Sequence, residues 1–216
     1  MNRVGILGGT FDPIHLGHLV PAEYAFDYLR LDRLLLVPSA TPVHRPLHAP
    51  ASGEHRARMC RLAAASIPGF SVSEIEVARA EPSYTVLTLR YFADSLPPGT
   101  ELVLLVGEDN LPLLHTWRQA REILALATIA VMPRPVAEPV DLGPLAAALG
   151  NETARQLAAG LVPAPRIPIS ATEIRERVRT GQSIAGLVPA SIARYIAEAG
   201  LYTGPCPCQP PPQPHA

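Results

Sequence analysis

Val4-Gly5-Ile6-Leu7-Gly8-Gly9-Thr10-Phe11-Asp12-Pro13-Ile14-His15-Leu16-Gly17-His18 is the stretch from which the rest of the chain is read. The apolar run Val4 to Leu7 predicts a buried strand, Gly8-Gly9 a turn, and the spacing from Leu16 to Leu29 a helix whose start carries two imidazoles. Glycines let backbone N–H groups approach an anion. The helix N-terminus adds unpaired donors and the positive end of its dipole, and the histidines add directional donors. The stretch is suited to holding phosphates. Its rival reading is a simple turn followed by two metal ligands on one helix face. The chain has no His-Glu-x-x-His pattern and no paired cysteines in its body, which argues against zinc.

Outward from this stretch, apolar runs alternate with helical periods. Leu34 to Val37, Phe70 to Val77, Leu102 to Val106 and Ile129 to Met132 predict strands apolar on both faces. Gly53 to Ala65 after Ser52, Thr85 to Leu96 after Ser83, and Gln119 to Leu126 predict helices. The alternation implies an α/β fold, a Rossmann-like doubly wound, mostly parallel sheet with its ligand at the carboxyl ends of the strands, where the Gly8 turn sits. Residues 139 to 163 predict one or two short linking helices. Arg166 to Ile169 predicts a short strand, and helices follow from Ser170 or Ala171 to Arg179 and from Pro189 to Ala199. The expected division is a core over 1–165, a small C-terminal helical section over 166–203, and a disordered proline-rich tail over 204–216.

With 216 residues, 48% hydrophobic, and a net charge of -1, the chain can bury a full core and has no general attraction to nucleic acid or anionic membrane. No run reaches the roughly 18 apolar residues of a membrane span, and a core strand rather than a signal peptide is read at the start, so a cytoplasmic protein is expected, an oligomer being possible. Cys60 reads as a core thiol, and Cys206 and Cys208 do not make a disulfide framework. All 18 basic residues are arginine. The absence of lysine excludes a Walker P-loop, a pyridoxal Schiff base and a lysine–AMP intermediate, leaving phosphoryl chemistry to arginine and histidine.

A second cluster, Ile169-Ser170-Ala171-Thr172-Glu173-Ile174-Arg175, reads as a helix N-terminus. Ser170 or Thr172 caps it, and Arg175 either meets phosphates or lies on a solvated face. Together, GGTFDPIHLGHL and ISATEIR resemble the nucleotidylyltransferase superfamily, and specifically the bacterial nicotinate-mononucleotide adenylyltransferases, over about residues 1 to 203. Pro82-Ser83-Tyr84-Thr85-Val86-Leu87-Thr88-Leu89, Gly107-Glu108-Asp109 and Thr116-Trp117 are similar to three further elements of that family.

The resemblance implies transfer of AMP from ATP to nicotinate mononucleotide, giving nicotinate adenine dinucleotide and pyrophosphate, with Mg2+ carried on the ATP phosphates. It implies catalytic roles for His15, His18 and Arg175. Gly8, Gly9, Thr10, Phe11, Gly17, Arg134, Ile169, Ser170 and Thr172 would bind ATP. His44, Arg45, Thr85, Gly107, Asp109 and Trp117 would bind the acceptor. Trp117 either stacks on a pyridine ring or anchors the core, and Asp109 either accepts from ribose hydroxyls or caps a helix. Arg118 departs from the family, many of whose members place an aromatic there. Nicotinamide mononucleotide or pantetheine phosphate as acceptor, and a nucleotide sensor without turnover, are the alternatives.

Overall fold

A computed structural model describes residues 2–40, 51–79, 82–135 and 140–204. Five strands, β1 (Arg3–Gly9), β2 (Arg33–Pro38), β3 (Phe70–Val72), β4 (Glu101–Gly107) and β5 (Thr128–Met132), form one sheet in the order β3-β2-β1-β4-β5. Every neighbouring pair is parallel. The order reverses between β1 and β4. Their pairing stops at Ile6–Leu104, whereas β1 stays paired to β2 through Gly9 and β4 to β5 through Gly107. The two central strands therefore part at their carboxyl ends, which is where an open α/β sheet leaves a crevice.

Alternating side chains of the strands feed two separate cores, as the two-residue period of a strand requires. Leu7, Leu34, Leu36, Val103, Leu105 and Met132 pack on one face with α1 (Leu16–Tyr28), α2 (Gly53–Ala64), α7 (Ala171–Arg179) and α8 (Ala190–Glu198). Val4, Ile6, Leu35, Val37, Leu104, Val106 and Val131 pack on the other with α3 (Thr85–Ser95), a 3-10 helix (Glu108–Thr116), α4 (Ala120–Leu126), α5 (Gly143–Leu149) and α6 (Asn151–Ala159). Cys60 is buried in the first core. The C-terminal helices supply Ile174, Ile192 and Ile196 to the same core as the sheet. No helix among the described residues is long and apolar enough to cross a membrane.

Four local expectations are corrected. Gly8 and Gly9 do not form the expected turn: they are the last two residues of β1, paired with Val37 and Pro38, and the chain turns after them at Asp12-Pro13. The strand expected over Phe70 to Val77 ends at Val72, because its partner strand ends in Pro38, which has no N–H for the ladder. No strand forms over Arg166 to Ile169. Prolines at 163, 165 and 168 remove the donors there, and the chain instead touches the sheet edge at one bridge between Leu161 and Val131. Ser52 does cap α2, accepting from the His55 N–H at 3.3 Å, but Ser83 does not cap α3. The N-cap is Tyr84, without a side-chain bond, and the Ser83 hydroxyl accepts instead from the Ala40 N–H at 2.9 Å.

Candidate active site

At the parted ends of β1 and β4 lies a cleft of about 680 Å³ that draws residues from almost the whole length of the chain. Gly8, Gly9, Thr10 and Phe11 line it as β1 turns toward α1. A Cβ on Gly9 would come within 2.8 Å of the Phe11 ring, so that position needs glycine for close approach. A Cβ on Gly8 would meet nothing within 4 Å, and this backbone faces the open cleft. Phe11 itself takes a left-handed φ of 51° with its ring buried.

His15 is the N-cap residue of α1 in extended conformation, without a side-chain cap. Its ring lies 3.8 Å from that of His18, centroid to centroid, at a tilt of 32°. His15 is 3% exposed, and its Nδ1 has no hydrogen-bond partner among the described residues. Burial, with the nearby Arg134 cation adding to it, holds the imidazole down to a pKa of about 3, so it is neutral at physiological pH. Gly17 does not line the cleft. It lies behind the rings, where a Cβ would come within 3.0 Å of His15, and its carbonyl accepts from the Arg134 guanidinium at 2.9 Å. Arg134 also lies 3.9 Å from the Asp109 carboxylate.

The remote cluster arrives at the same place. Ile169, Ser170, Thr172 and Arg175 line the cleft. Ser170 caps α7, accepting from the Glu173 N–H at 3.1 Å, and the Thr172 hydroxyl accepts from Arg175 at 3.2 Å. Arg175 donates to the Asp12 carbonyl at 2.7 Å, which ties α7 to the turn between β1 and α1. The cleft is also lined by Thr85 in the first turn of α3, by the half-buried Trp117, and, beside Arg134, by Gly107 at the end of β4 and Asp109 just after it. Trp117 also packs against the second core. Asp109 lies within the 3-10 helix, whose N-cap is Gly107. The expected contacts of His44 and Arg45 fall outside the described residues.

Sequence reading missed three groups at this site. Arg56, 1% exposed, donates to the carbonyls of Thr10 at 2.7 Å, Ser39 at 2.6 Å, Ala40 at 3.0 Å and Ala51 at 3.3 Å, and so staples the chain after β1 to the end of β2. Its signal was a lone arginine on the apolar stripe of a helix with Met59, Cys60 and Ala63. Glu76 lies buried in the cleft near Thr85, accepts from the Thr88 hydroxyl at 2.6 Å, and is pushed above the usual carboxylate range by its burial. Asp12, 4% exposed, is likewise raised by burial, against hydrogen bonds and cations that pull it down. Nothing in sequence spacing marks Glu76 or the partners of Asp12. Arg118 lies over the Tyr84 ring, 4.7 Å from its centroid.

The cleft thus gathers groups suited to an anion, the glycine end of β1, paired imidazoles and two arginines, with an indole and the N-terminus of α3. Residues 6–177 match the model of the cytidylyltransferase-like family. The chain is 42% identical to a Bordetella petrii protein named "Probable nicotinate-nucleotide adenylyltransferase", over 94% of this chain and 100% of that one. It is 44% identical to a protein of the same name from Roseiflexus sp., over 92% and 97%. A solved structure of Plasmodium falciparum nicotinic acid mononucleotide adenylyltransferase complexed with NaAD shares the fold, with a TM-score of 0.70 at 16% identity over 94% of this chain and 98% of that chain.

Proposed function

From the premise that this chain belongs to the nicotinate-nucleotide adenylyltransferases of the cytidylyltransferase-like family, we propose how its cleft divides the work of the reaction. The enzyme transfers AMP from ATP to nicotinate mononucleotide, giving nicotinate adenine dinucleotide and pyrophosphate in NAD biosynthesis. A phosphate oxygen of the mononucleotide attacks the α-phosphorus of ATP. The new P–O bond forms as the bond to the β-phosphate oxygen breaks, and pyrophosphate leaves with its electron pair. The nucleophile is already ionised near neutral pH, so the protein contributes positioning and charge stabilisation rather than a base.

One observation carries the assignment of roles: His15 and His18, ring against ring, open into the same cleft as Arg134 and Arg175. A neutral His15 donates one N–H to a phosphate oxygen without bringing a charge that must be desolvated. His18 and the α7 N-terminus at Ser170, with Thr172 and Arg175, meet the α- and β-phosphates, while Gly8 to Phe11 and Ile169 line the cleft around the nucleotide. Arg134 reaches the triphosphate. Thr85 with the N–H groups of the α3 start takes the nicotinate carboxylate, Trp117 stacks on the pyridine ring, and Asp109 and Gly107 meet the ribose. The section 166–203 completes the ATP end of a core formed by 1–165.

Magnesium fits this donor set as a passenger of the triphosphate. Among the described residues no three His, Cys, Asp or Glu side chains converge on one point, and the carboxylate nearest the histidine turn, Asp12, is engaged by protein donors. When bound, such a metal would keep water and phosphate ligands and would supply positive charge to the phosphate oxygens. Use of ATP as the donor supports the expected cytoplasmic location.

The test is pyrophosphate release from ATP and Mg2+ with nicotinate mononucleotide, nicotinamide mononucleotide and pantetheine phosphate in parallel. Strong preference for nicotinate mononucleotide is expected. Preference for the amide would overturn the roles given to Thr85 and the α3 start. Release with pantetheine phosphate alone would move the acceptor assignment altogether.

A further inference from the structure

Asp12 has no role in the division of labour above, yet three separate segments close on its side chain. The Tyr202 hydroxyl donates to its Oδ1 at 2.7 Å, and the Ala51 N–H donates to the carboxylate as well. Arg175 of α7 stands 4.0 Å from Oδ2 while donating to the Asp12 carbonyl at 2.7 Å. The Arg56 cation of α2 attracts the carboxylate too. Tyr202, Arg175 and Arg56 are the charged and titratable groups that face it. Tyr202 follows α8 and is buried, with a left-handed φ of 64°, a conformation that an aromatic residue keeps only where its surroundings hold it. Phe11, adjacent to Asp12 in the chain, is left-handed as well. Two costly backbone conformations therefore flank one buried carboxylate, and that carboxylate lies between the turn after β1 and Arg175, the arginine assigned above to the phosphates.

We propose that Tyr202 and Asp12 are positioning residues: the tyrosine hydroxyl fixes the buried carboxylate, which holds Arg175 and the phosphate turn in the arrangement that transfers the adenylyl group. This inference rests on the nucleotidyl-transfer reading of the cleft. Arg175 is shared between the turn it orders and the phosphates it meets, so its geometry depends on where Asp12 sits. The last described turn of the chain thereby reaches the chemistry without touching substrate.

The experiment compares wild type, Tyr202→Phe, Asp12→Asn and the double variant, measuring kcat, KM for each substrate, the pH profile of kcat/KM for ATP, ATP affinity by calorimetry and the melting midpoint. Tyr202→Phe removes one oxygen and is expected to lower kcat/KM for ATP by about tenfold to a hundredfold, with KM for nicotinate mononucleotide unchanged. Its acid limb is expected at higher pH than in wild type, because the hydrogen bond that favours the ionised carboxylate is gone. The histidines and substrate phosphates titrate in both proteins, so the difference belongs to Asp12. In the Asp12→Asn background the tyrosine substitution should add little.

A Tyr202→Phe protein that melts earlier but keeps wild-type kinetics and pH profile would make the contact a structural staple and overturn the proposal. Additive effects in the double variant would overturn it too. If Asp12→Asn does not fold, Tyr202→Phe decides alone. Absence of turnover by the wild type with every acceptor would instead defeat the adenylyl-transfer reading. ATP affinity would then test the lock: it survives if Tyr202→Phe weakens binding about tenfold and fails if binding is unchanged.

Discussion

A neutral imidazole is a useful donor at a triphosphate because it approaches an oxyanion without a hydration shell of its own to lose. Burial and Arg134 keep His15 in that form, and His18, stacked on it and half-buried, is the more accessible of the two. Neither has to move a proton when the attacking phosphate is already ionised. Removing one preorganised donor to a developing oxyanion costs about a hundredfold to a thousandfold in rate. His18→Ala should therefore lose at least that much kcat while its melting curve stays close to wild type, since the ring lies at the cleft rather than in the core. Stopped turnover assays on the purified variant check this, and near-normal kcat would remove His18 from the assignment.

At the scale of elements, the β1–α1 junction separates space for the protein from space for the ligand. Gly9 is filled by the Phe11 ring, whereas Gly8 faces nothing. Gly8→Ala is accordingly expected to fold and melt like wild type yet to lose ATP affinity, because the new methyl group points into the cleft. Gly9→Ala should lower the melting midpoint as Phe11 is displaced. Equal melting losses in the two variants would refute this separation. The strand–glycine–helix order, the paired histidines and a serine cap at the second cluster were legible in the sequence, because each is a local pattern. The turn read at Gly8-Gly9 instead falls after them at Asp12-Pro13, since pairing to β2 keeps both glycines in the strand. β3 and the 166–169 segment were misread because apolar and β-branched residues suggest a ladder even where prolines on the segment or its partner withhold the N–H groups that would build it. Arg56, Glu76 and the Asp12–Tyr202 contact join positions 12 to 190 residues apart, and no spacing rule reports such meetings.

For the molecule as a whole, the doubly wound sheet gathers its buried ionisable groups around one cleft, and that concentration sets how stability responds to acid. His15 is held to about 3 in the folded chain against 6.5 for the free side chain. Between those values the unfolded chain carries a proton on this residue that the folded chain does not. The stabilisation is complete above about pH 6.5 and drains away as the pH falls toward 3. Asp12 and Glu76 act in the opposite sense. Their folded affinities for protons are raised, so the folded state binds the extra proton, and falling pH through their windows favours folding. The histidine term is isolated by comparing wild type with His15→Asn, in which both carboxyls remain. Urea unfolding at steps from pH 7.5 to 4 should show wild type losing stability relative to His15→Asn below pH 6.5, with a slope of at most about 1.4 kcal/mol per pH unit. A difference that stays flat with pH would mean that His15 titrates alike in both states, and the role of buried neutral donor to a phosphate oxygen would have to be withdrawn from it. Bound triphosphate should shrink the same slope, because its negative charge offsets the neighbouring Arg134 cation and moves the ring's proton affinity back toward the free value, while burial still keeps the ring neutral near pH 7.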